Sequence, residues 1–389
     1  MIDAKHFVKE HAARNIPLCF DEAYSLGLYL MEACQGDSLA QIQSIALLTA
    51  LHNRATYAWQ KNGREVGHEL PNNAAEQIAG ICAAVFEHDI AKSEFGFLTP
   101  NVPYAMDNCG MGGDFVVTAN VSSVAAFIAA AAGIPMCKHG SPANADKGRH
   151  GSSDFIDLCG INRFADKKAV ERCVEDLSFG YTEALDVRYK HIHLQTHNIA
   201  FLPHMNDIIG PITNPLSPRL MSRRVLGVNH LIPVSIVAEA YQILNGRGIT
   251  HLQQGFFVRG FGDKKGPESG MDELSICQGG TELSVIKNGY MLGWGDAYLS
   301  AKDFGLEPIP AEFASPTSGM SKGEFSLAIL KGEGPEPSIQ MVLANAALLF
   351  RLAERSTSLK ECYLMAREVL MSGKAFARMV EIREMLPAK

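Results

Sequence analysis

Apolar residues recur at helical spacing through the first hundred positions of the chain. In residues 21–58 they return every three or four positions, which predicts two amphipathic helices joined by a polar QGDS segment. Residues 60–73 are polar and contain glycine and proline, so we expect a loop there, followed by a helix over residues 73–87. The pattern therefore predicts a small all-helical domain over residues 1–99.

From residue 104 onward the pattern changes to short apolar runs that end in glycine and alternate with helical segments. Such alternation is typical of βαβ units, in which successive strands lie parallel. The candidate strands are residues 134–138, 224–227 and 255–259. We expect the α/β class, with a large domain over residues 100–389 whose central, mostly parallel sheet is surrounded by helices.

Three later segments also have helical spacing. Residues 170–184 predict a helix that is polar on one side, and helices within about 167–190 could pack back onto the N-terminal helices. The small domain would then be discontinuous in sequence. Residues 335–355 and 359–385 predict two strongly amphipathic helices that close the chain.

Composition narrows the class of protein. A length of 389 residues is enough for two domains, and a formal net charge of -7 argues against a general nucleic-acid or anionic-membrane binder. The nine cysteines form no C-x-x-C pair, so the sequence predicts neither a zinc site of that type nor a disulfide framework. The longest apolar run, residues 124–137, is shorter than the roughly 20 residues that span a bilayer. We expect a soluble, cytoplasmic protein.

A glycine-rich turn and a helix start lie close together in the sequence. The turn contains Gly110, Gly112, Gly113 and Asp114. The helix start contains Asn120, Ser122 and Ser123. Adjacent glycines let a ligand approach main-chain amides, and the free amides and dipole of a helix start attract a phosphate. A plain strand-end turn and an ordinary helix cap are the structural alternatives.

Two further segments could complete a phosphate site. Lys138 ends a predicted strand, and the carboxyl ends of parallel strands are where open α/β sheets bind ligands. The basic, glycine-rich segment 147–154 includes Gly151 and Ser152 and could fold over a diphosphate. A solvated strand-end lysine and a simple surface loop remain the alternatives.

Asp272 and Glu273 are adjacent carboxylates that follow a glycine-rich loop. Mg²⁺ binds in proteins through one or two carboxylates together with substrate phosphates, so this pair suits a magnesium site. A charged surface pair is the alternative. The GPITNP segment at 210–215 predicts a rigid turn that could either line a pocket or form a structural corner.

Taken together and in this order, these segments resemble the motifs of the anthranilate phosphoribosyltransferase family. The chain has CGMGGD, NVSS, KHGS, GSSD, GPITNP and MDELS where the family has GTGGD, NxST, KHGNR, GS(S/A)D, GPLTNP and a DE pair. The C-terminal segments ILKGEG and VLANAALLF are similar to the family as well. The resemblance therefore covers essentially the whole chain.

This resemblance implies a two-domain enzyme of the nucleoside phosphorylase/phosphoribosyltransferase fold type, usually a homodimer. The implied reaction transfers phosphoribose from phosphoribosyl pyrophosphate (PRPP) to an aromatic amine, with loss of pyrophosphate and with Mg²⁺ as the cofactor. Anthranilate, in tryptophan biosynthesis, is the leading acceptor. No catalytic residue is assigned, because an arylamine is already nucleophilic and needs no evident strong base.

The family's site residues carry over by position. Those that would bind PRPP are Gly110, Gly112, Gly113, Asp114, Asn120, Ser122, Ser123, Lys138, Gly151 and Ser152. Those that would bind Mg²⁺ are Ser122, Asp272 and Glu273. Those on the acceptor side are His139, Gly140, Ser141, Tyr189, His204 and Pro211.

The departures from the family cluster on the acceptor side. The arginine that grips the anthranilate carboxylate in the family aligns with Pro203, and a neutral imidazole at His204 would be a weaker clamp than a guanidinium fork. Ser141 replaces the asparagine of KHGN. Two alternatives follow: the same chemistry on another nitrogenous aromatic acceptor, and a non-catalytic relative that binds nucleic acid. The acidic balance and the retained Asp272–Glu273 pair count against the second.

Overall fold

The computed structural model of the chain describes residues 18–62, 74–112, 116–142, 151–189, 191–192, 204–230, 232–293, 297–317 and 319–388, without the side chains of residues 53–62 and 267. The α-helices are α1 (Phe20–Cys34), α2 (Ser38–Asn62), α3 (Ala74–Ala84), α4 (Val121–Ala131), α5 (Ser152–Leu158), α6 (Lys167–Leu177), α7 (Asn206–Ile212), α8 (Val234–Gly246), α9 (Lys322–Leu330), α10 (Glu336–Leu352), α11 (Leu359–Met371) and α12 (Lys374–Met385). The strands are β1 (Met106–Gly110), β2 (Met136–Gly140), β3 (Phe179–Glu183), β4 (Arg223–Gly227), β5 (Gln254–Phe261), β6 (Gly270–Met271), β7 (Thr281–Lys287), β8 (Tyr290–Met291) and β9 (Ala297–Leu299).

One sheet lies at the centre of the molecule. Its strands run in the order β3-β2-β1-β4-β5-β7-β8, with β6 beside β5 and β9 beside β7. The strands from β3 to β5 are parallel, whereas those beyond β5 are antiparallel. The α/β class is thus confirmed, with an antiparallel extension that the sequence analysis did not predict.

The strand order reverses between β1 and β4. From β1 the chain extends the sheet through β2 to β3 on one side, and from β4 it extends through β5 on the other. The last residues of the two strands, Gly110 and Gly227, lie directly opposite each other. In open α/β sheets, ligands bind in the crevice outside the carboxyl ends of the strands at such a reversal.

The helix predicted over residues 170–184 is only partly correct. It ends at Leu177, because Ser178 adopts a left-handed conformation with φ 59°, and the aromatic and β-branched residues that follow form the buried strand β3. The predicted helix over residues 359–385 is likewise divided, at Gly373, where φ is 77°. The spacing of apolar residues predicted that helices form here but did not show that they end at these two positions.

The expected return of helices within about 167–190 to the N-terminal helices stays a prediction. The helix α6 packs against β3 and α12, and its buried residues belong to the core around the sheet. The helices that pack against α3 are α1, α7 and α8. The small domain over residues 1–99 therefore stays a prediction, but its helical partners come from later in the chain.

The helix α4 lies at the centre of the layer that packs against the sheet. It contacts α10 and α12 as well as β1 and β2, and its alanine-rich sequence lets these elements approach closely. A helix that is apolar all round is stable only when it is buried on all sides. Among the described residues, no helix is both long enough and apolar enough to cross a membrane.

Candidate active site

Two buried carboxylates lie where the strand order reverses. The backbone amide of Gly112 donates a hydrogen bond of 2.6 Å to Oδ2 of Asp272, although the two are 160 residues apart. The main chain of Asp272 lies directly over β4, since a Cβ on Gly227 would come within 1.4 Å of its carbonyl oxygen. The structure therefore brings the glycine turn and the Asp272–Glu273 pair together.

Glu273 has the properties of a cation ligand. Burial, together with the neighbouring Asp272 carboxylate, raises its pKa above the ordinary range, and the charge of Lys322 opposes that rise. Its Oε1 is buried and accepts no hydrogen bond from the described part of the chain. Adjacent carboxylates with an unpaired buried oxygen offer the hard ligands that Mg²⁺ prefers. The residues present fit the metal that the resemblance implied.

The amino terminus of α4 is tied to β1 and β2. The Asn108 side chain donates to the Ser122 carbonyl at 2.7 Å, and the Lys138 Nζ donates to the Asn108 carbonyl at 2.7 Å and to the Ser122 hydroxyl at 3.0 Å. Lys138 is fully buried, and burial lowers its pKa. Its Nζ therefore lies beneath the helix start and donates to β1 and α4, and the predicted contact between Lys138 and phosphate stays a prediction.

Asn120 and Ser123 differ in what they offer a ligand. Asn120 is the N-cap residue of α4, but its side chain donates to the Ser326 hydroxyl of α9 at 3.2 Å instead of capping its own helix. The Ser123 hydroxyl is buried and has no hydrogen-bond partner within the described ranges. The start of α4 thus keeps a polar group available next to Ser122.

The GSSD segment packs against the end of β2. The Ser153 amide donates to the Ser141 carbonyl at 3.3 Å, and a Cβ on Gly140 would lie 2.6 Å from the Ser152 Cβ. Gly151 is the N-cap residue of α5, so it lies at the same contact. The structure therefore places Gly151 and Ser152 beside Gly140 and Ser141.

A buried carboxylate anchors this segment. Oε2 of Glu183 accepts hydrogen bonds from the Ser153 hydroxyl at 2.6 Å and from Arg163 at 3.2 Å, while its Oε1 accepts from the Leu185 amide at 3.1 Å. Burial raises the pKa of Glu183 despite these donors. Glu183 was not among the predicted site residues, because an isolated glutamate at the end of a strand carries no local signal of burial.

The His139 ring does not point toward an acceptor substrate. It is buried, and its ring nitrogens lie 3.1 Å from Oδ2 of Asp107 and 3.0 Å from the Gly210 carbonyl oxygen. Nε2 therefore donates to a carbonyl within the protein, and Nδ1 lies between the Asp107 carboxylate and the Asn214 side-chain amide at 3.2 Å. The predicted direct contact between His139 and the acceptor substrate is not what this geometry offers, because alternate residues of β2 point to opposite faces of the sheet.

Tyr189 and Pro211 also make their contacts within the protein. The Tyr189 hydroxyl donates to the Glu183 carbonyl at 2.6 Å, and its ring lies 4.6 Å from that of Phe95. Pro211 lies in the last turn of α7, where its carbonyl accepts a hydrogen bond from Arg224 at 2.8 Å. Each position supports the walls of the crevice by packing or backbone contact.

His204, the candidate replacement for the missing arginine, faces a carboxylate. Its Nδ1 lies 3.3 Å from Oδ1 of Asp207, and its backbone amide donates to Oδ2 of the same residue at 3.1 Å. A negative neighbour weakens any attraction between this imidazole and an anionic ligand. Pro203 itself, together with Gly113 and Asp114, lies outside the described residues, so those predicted contacts stay predictions.

Asp107 and Arg224 were not among the predicted site residues. Both side chains are fully buried, and Nη2 of Arg224 lies 2.9 Å from Oδ2 of Asp107. Burial alone would raise the pKa of Asp107, but His139 and Arg224 beside it hold that pKa well below its usual range. The available signal for Arg224 was its charge within the candidate strand 224–227, whereas Asp107 lay outside the candidate strands.

These residues do not form a metal centre. Asp107, Cys109 and His139 bring three potential ligand atoms within 4.8 Å of one another. However, Nη2 of Arg224 lies 3.3 Å from the Cys109 sulfur, and burial raises the pKa of that thiol to about 12. A guanidinium in their midst and a protonated thiol identify the group as an ion-pair cluster.

Comparisons with known proteins agree with this geometry. The model of a family described as "Glycosyl transferase family, a/b domain" matches residues 102–376. Anthranilate phosphoribosyltransferase of Symbiobacterium thermophilum is 26% identical over 357 residues, covering 91% of this chain and 96% of the relative. That of Deinococcus radiodurans is 28% identical over 350 residues, covering 90% of each chain.

Solved structures agree as well. Anthranilate phosphoribosyltransferase from Thermus thermophilus superposes with a TM-score of 0.72 at 26% identity over 99% of both chains. The Saccharomyces cerevisiae enzyme in complex with PRPP and Mg gives a TM-score of 0.71 at 22% identity, covering 98% of this chain and 97% of that one, which shows the shared fold. The chain therefore belongs to this glycosyl transferase family, as a pentosyl-transferring phosphoribosyltransferase of the anthranilate phosphoribosyltransferase type.

Proposed function

We propose that the protein transfers phosphoribose from PRPP to anthranilate in a Mg²⁺-dependent reaction that releases pyrophosphate. The observation that carries this proposal is the buried Asp272–Glu273 pair at the reversal of strand order, hydrogen-bonded to the glycine turn of β1. The curated relatives that match over about nine-tenths of the chain are named as anthranilate phosphoribosyltransferases, which supports the choice of acceptor.

The donor-side residues would bind PRPP in position and would stabilise the charge of the leaving pyrophosphate. Mg²⁺ held by Ser122, Asp272 and Glu273 would neutralise charge on the departing pyrophosphate. The first-turn amides of α4 and the backbone around Gly110 and Gly112 would bind phosphate oxygens, since a helix start favours anions. Breaking the bond between C1 and the pyrophosphate oxygen leaves a cationic sugar and a highly charged leaving group, so fixed electrostatics of this kind lower the barrier.

Further residues would contribute to the donor side of the site. Lys138 would support the helix start from below through its hydrogen bond to the Ser122 hydroxyl. Gly151 and Ser152, placed beside Gly140, would close over the diphosphate. We expect Asp114 and Gly113 to complete the ribose and pyrophosphate contacts.

A second candidate keeps the chemistry but changes the acceptor. His204 faces Asp207 at 3.3 Å, so the acceptor side offers no evident replacement for a carboxylate-gripping arginine among the described residues. An aromatic amine that lacks a carboxylate would not need such a clamp. The amine attacks C1 as it stands, and its proton can leave to water, so we assign no general base for either acceptor.

Pyrophosphate release from Mg²⁺·PRPP tests both candidates in one assay. We expect rapid release with anthranilate, and no release when Asp272→Asn and Glu273→Gln are combined. Release with a carboxylate-free analogue but not with anthranilate would favour the second candidate. Binding of PRPP without turnover of any amine in the panel would overturn both.

The remaining expectations stay predictions. A homodimer and a cytoplasmic location follow from the resemblance, and sedimentation velocity tests the first. Nucleic-acid binding remains disfavoured by the net charge of -7.

A further inference from the structure

Three consecutive carbonyl groups end α7, and all three accept hydrogen bonds from two buried side chains. The Gly210 carbonyl oxygen lies 3.0 Å from Nε2 of His139. The Pro211 and Ile212 carbonyls accept from Nη2 and Nη1 of Arg224 at 2.8 and 3.2 Å. The last carbonyls of a helix have no intrahelical partner, so these contacts fix the carboxyl end of α7.

Both donors share one acceptor on β1. Oδ2 of Asp107 lies 3.1 Å from Nδ1 of His139 and 2.9 Å from Nη2 of Arg224. Nη1 of Arg224 also donates to the hydroxyl of Tyr241 on α8, which itself donates to the Ile212 carbonyl at 3.1 Å. The Asp107 carboxylate on β1 thus links three strands of the sheet, through His139 on β2 and Arg224 on β4. Through Arg224 it also links the helices α7 and α8.

This cluster connects the two sides of the proposed site. On the donor side, β1 continues from Asp107 to Gly110, and the Gly112 amide just beyond it binds Asp272. On the acceptor side, α7 begins at Asn206, two residues after His204, and contains Asp207. Any movement of α7 relative to β1 would change the distance between donor and acceptor.

A cluster of buried charges is a costly way to hold a helix for stability alone. Apolar groups of similar volume often stabilise a fold at least as well as a buried ion pair. What the charges add is a defined geometry, because each carbonyl and each carboxylate oxygen accepts only along limited directions. The cluster is therefore suited to holding α7 in one position relative to β1.

We propose that Asp107, Arg224 and His139 position α7, and with it the acceptor side, relative to the donor turn of β1. These are positioning residues, since none of them touches the reacting atoms. The proposal deepens the proposed function and rests on it for the identity of the acceptor.

The experiment compares Arg224→Gln with Arg224→Lys and with Arg259→Gln. Arg259 is a suitable control because it is a buried arginine on the neighbouring strand β5, where it pairs with Glu282. For Arg224→Gln we expect the KM for anthranilate to rise about tenfold or more while the KM for PRPP changes less than about threefold. Arg224→Lys keeps the charge and should recover part of the loss. Arg259→Gln should leave the ratio of the two KM values unchanged.

Equal changes in both KM values for Arg224→Gln would overturn the proposal, and so would a selective rise in the KM for anthranilate in the Arg259→Gln control. If Arg224→Gln does not fold, the double variant Asp107→Asn with Arg224→Gln removes both charges and is tested for the same KM split. Amide hydrogen exchange gives a second readout: in the variant we expect faster exchange in α7 (Asn206–Ile212) but not in α11 (Leu359–Met371). Unchanged exchange in α7 would overturn the positioning role. Failure of the wild-type protein to use anthranilate would overturn only the proposed function, and the exchange data would still decide the positioning role.

Discussion

A methyl group on Gly110 would lie 1.9 Å from Oδ2 of Asp272. The carboxylate can therefore occupy its place over the end of β1 only because residue 110 has no side chain. The same oxygen accepts a hydrogen bond from the Gly112 amide, so the position of the carboxylate is set by backbone on both sides. The glycine turn thus serves the proposed metal site as well as the phosphate site.

Gly110→Ala should remove most activity without unfolding the protein. The added methyl group would displace Asp272, and a displacement of about 1 Å at a catalytic group can cost about 100-fold in rate. The measurement is kcat/KM for PRPP together with thermal unfolding. Gly246→Ala is the matched control, because a Cβ there meets nothing within 4 Å. Full activity in Gly110→Ala would contradict the role given to Asp272.

The sequence predicted the donor side better than the acceptor side, and the reason is physical. Glycines, helix starts and adjacent carboxylates have functions that depend on local sequence, so their motifs indicated Gly112 and Asp272 as site residues, and the structure shows that the two are in contact. Burial of a charge depends on partners distant in sequence. Asp107 and Arg224 are 117 residues apart, and no local pattern shows that they meet. His139 was misassigned for the same reason, because its partners lie on β1 and at Gly210.

The stabilising effect of Mg²⁺ should increase with pH. Burial and Asp272 raise the pKa of Glu273, so the folded protein binds this proton more tightly than the unfolded chain does. Without metal, the resulting stability is present below the unfolded pKa and is lost as pH rises through the raised folded pKa. Mg²⁺ must displace the same proton, so the Mg²⁺-induced rise in Tm should be larger at about pH 8.5 than at about pH 5.5.

Glu273→Gln is the control for that measurement. The amide does not titrate, so we expect the pH dependence of the Mg²⁺ effect to decrease and the effect itself to weaken. A Mg²⁺ effect of equal size at both pH values in the wild-type protein would show that the metal does not replace a proton on Glu273.

Gly80→Ala should destabilise the N-terminal helices. A Cβ at position 80 would lie 2.4 Å from the Phe20 carbonyl oxygen and 2.7 Å from the Ala23 Cβ, so α1 and α3 would have to separate. Overpacking of this kind typically costs about 1–3 kcal/mol. Urea denaturation measures the loss, and Gly246→Ala again serves as control because alanine in an unobstructed helical position is neutral or stabilising. A Gly80→Ala protein as stable as the wild type would show that α1 and α3 can adjust without cost.

Ser153 and Glu183 should prove energetically coupled. Ser153→Ala removes a 2.6 Å hydrogen bond to a buried carboxylate, which should lower the free energy of unfolding by about 1–3 kcal/mol. Because Ser153 follows Gly151 and Ser152, the KM for PRPP should rise as well. In the double variant with Glu183→Gln, the neutral amide no longer needs the lost donor, so the combined loss should be smaller than the sum of the single losses. A double-mutant cycle in unfolding free energy and in KM measures this. Simple additivity would show that the hydroxyl and the carboxylate act independently, and an unchanged KM for PRPP would separate this contact from the donor site.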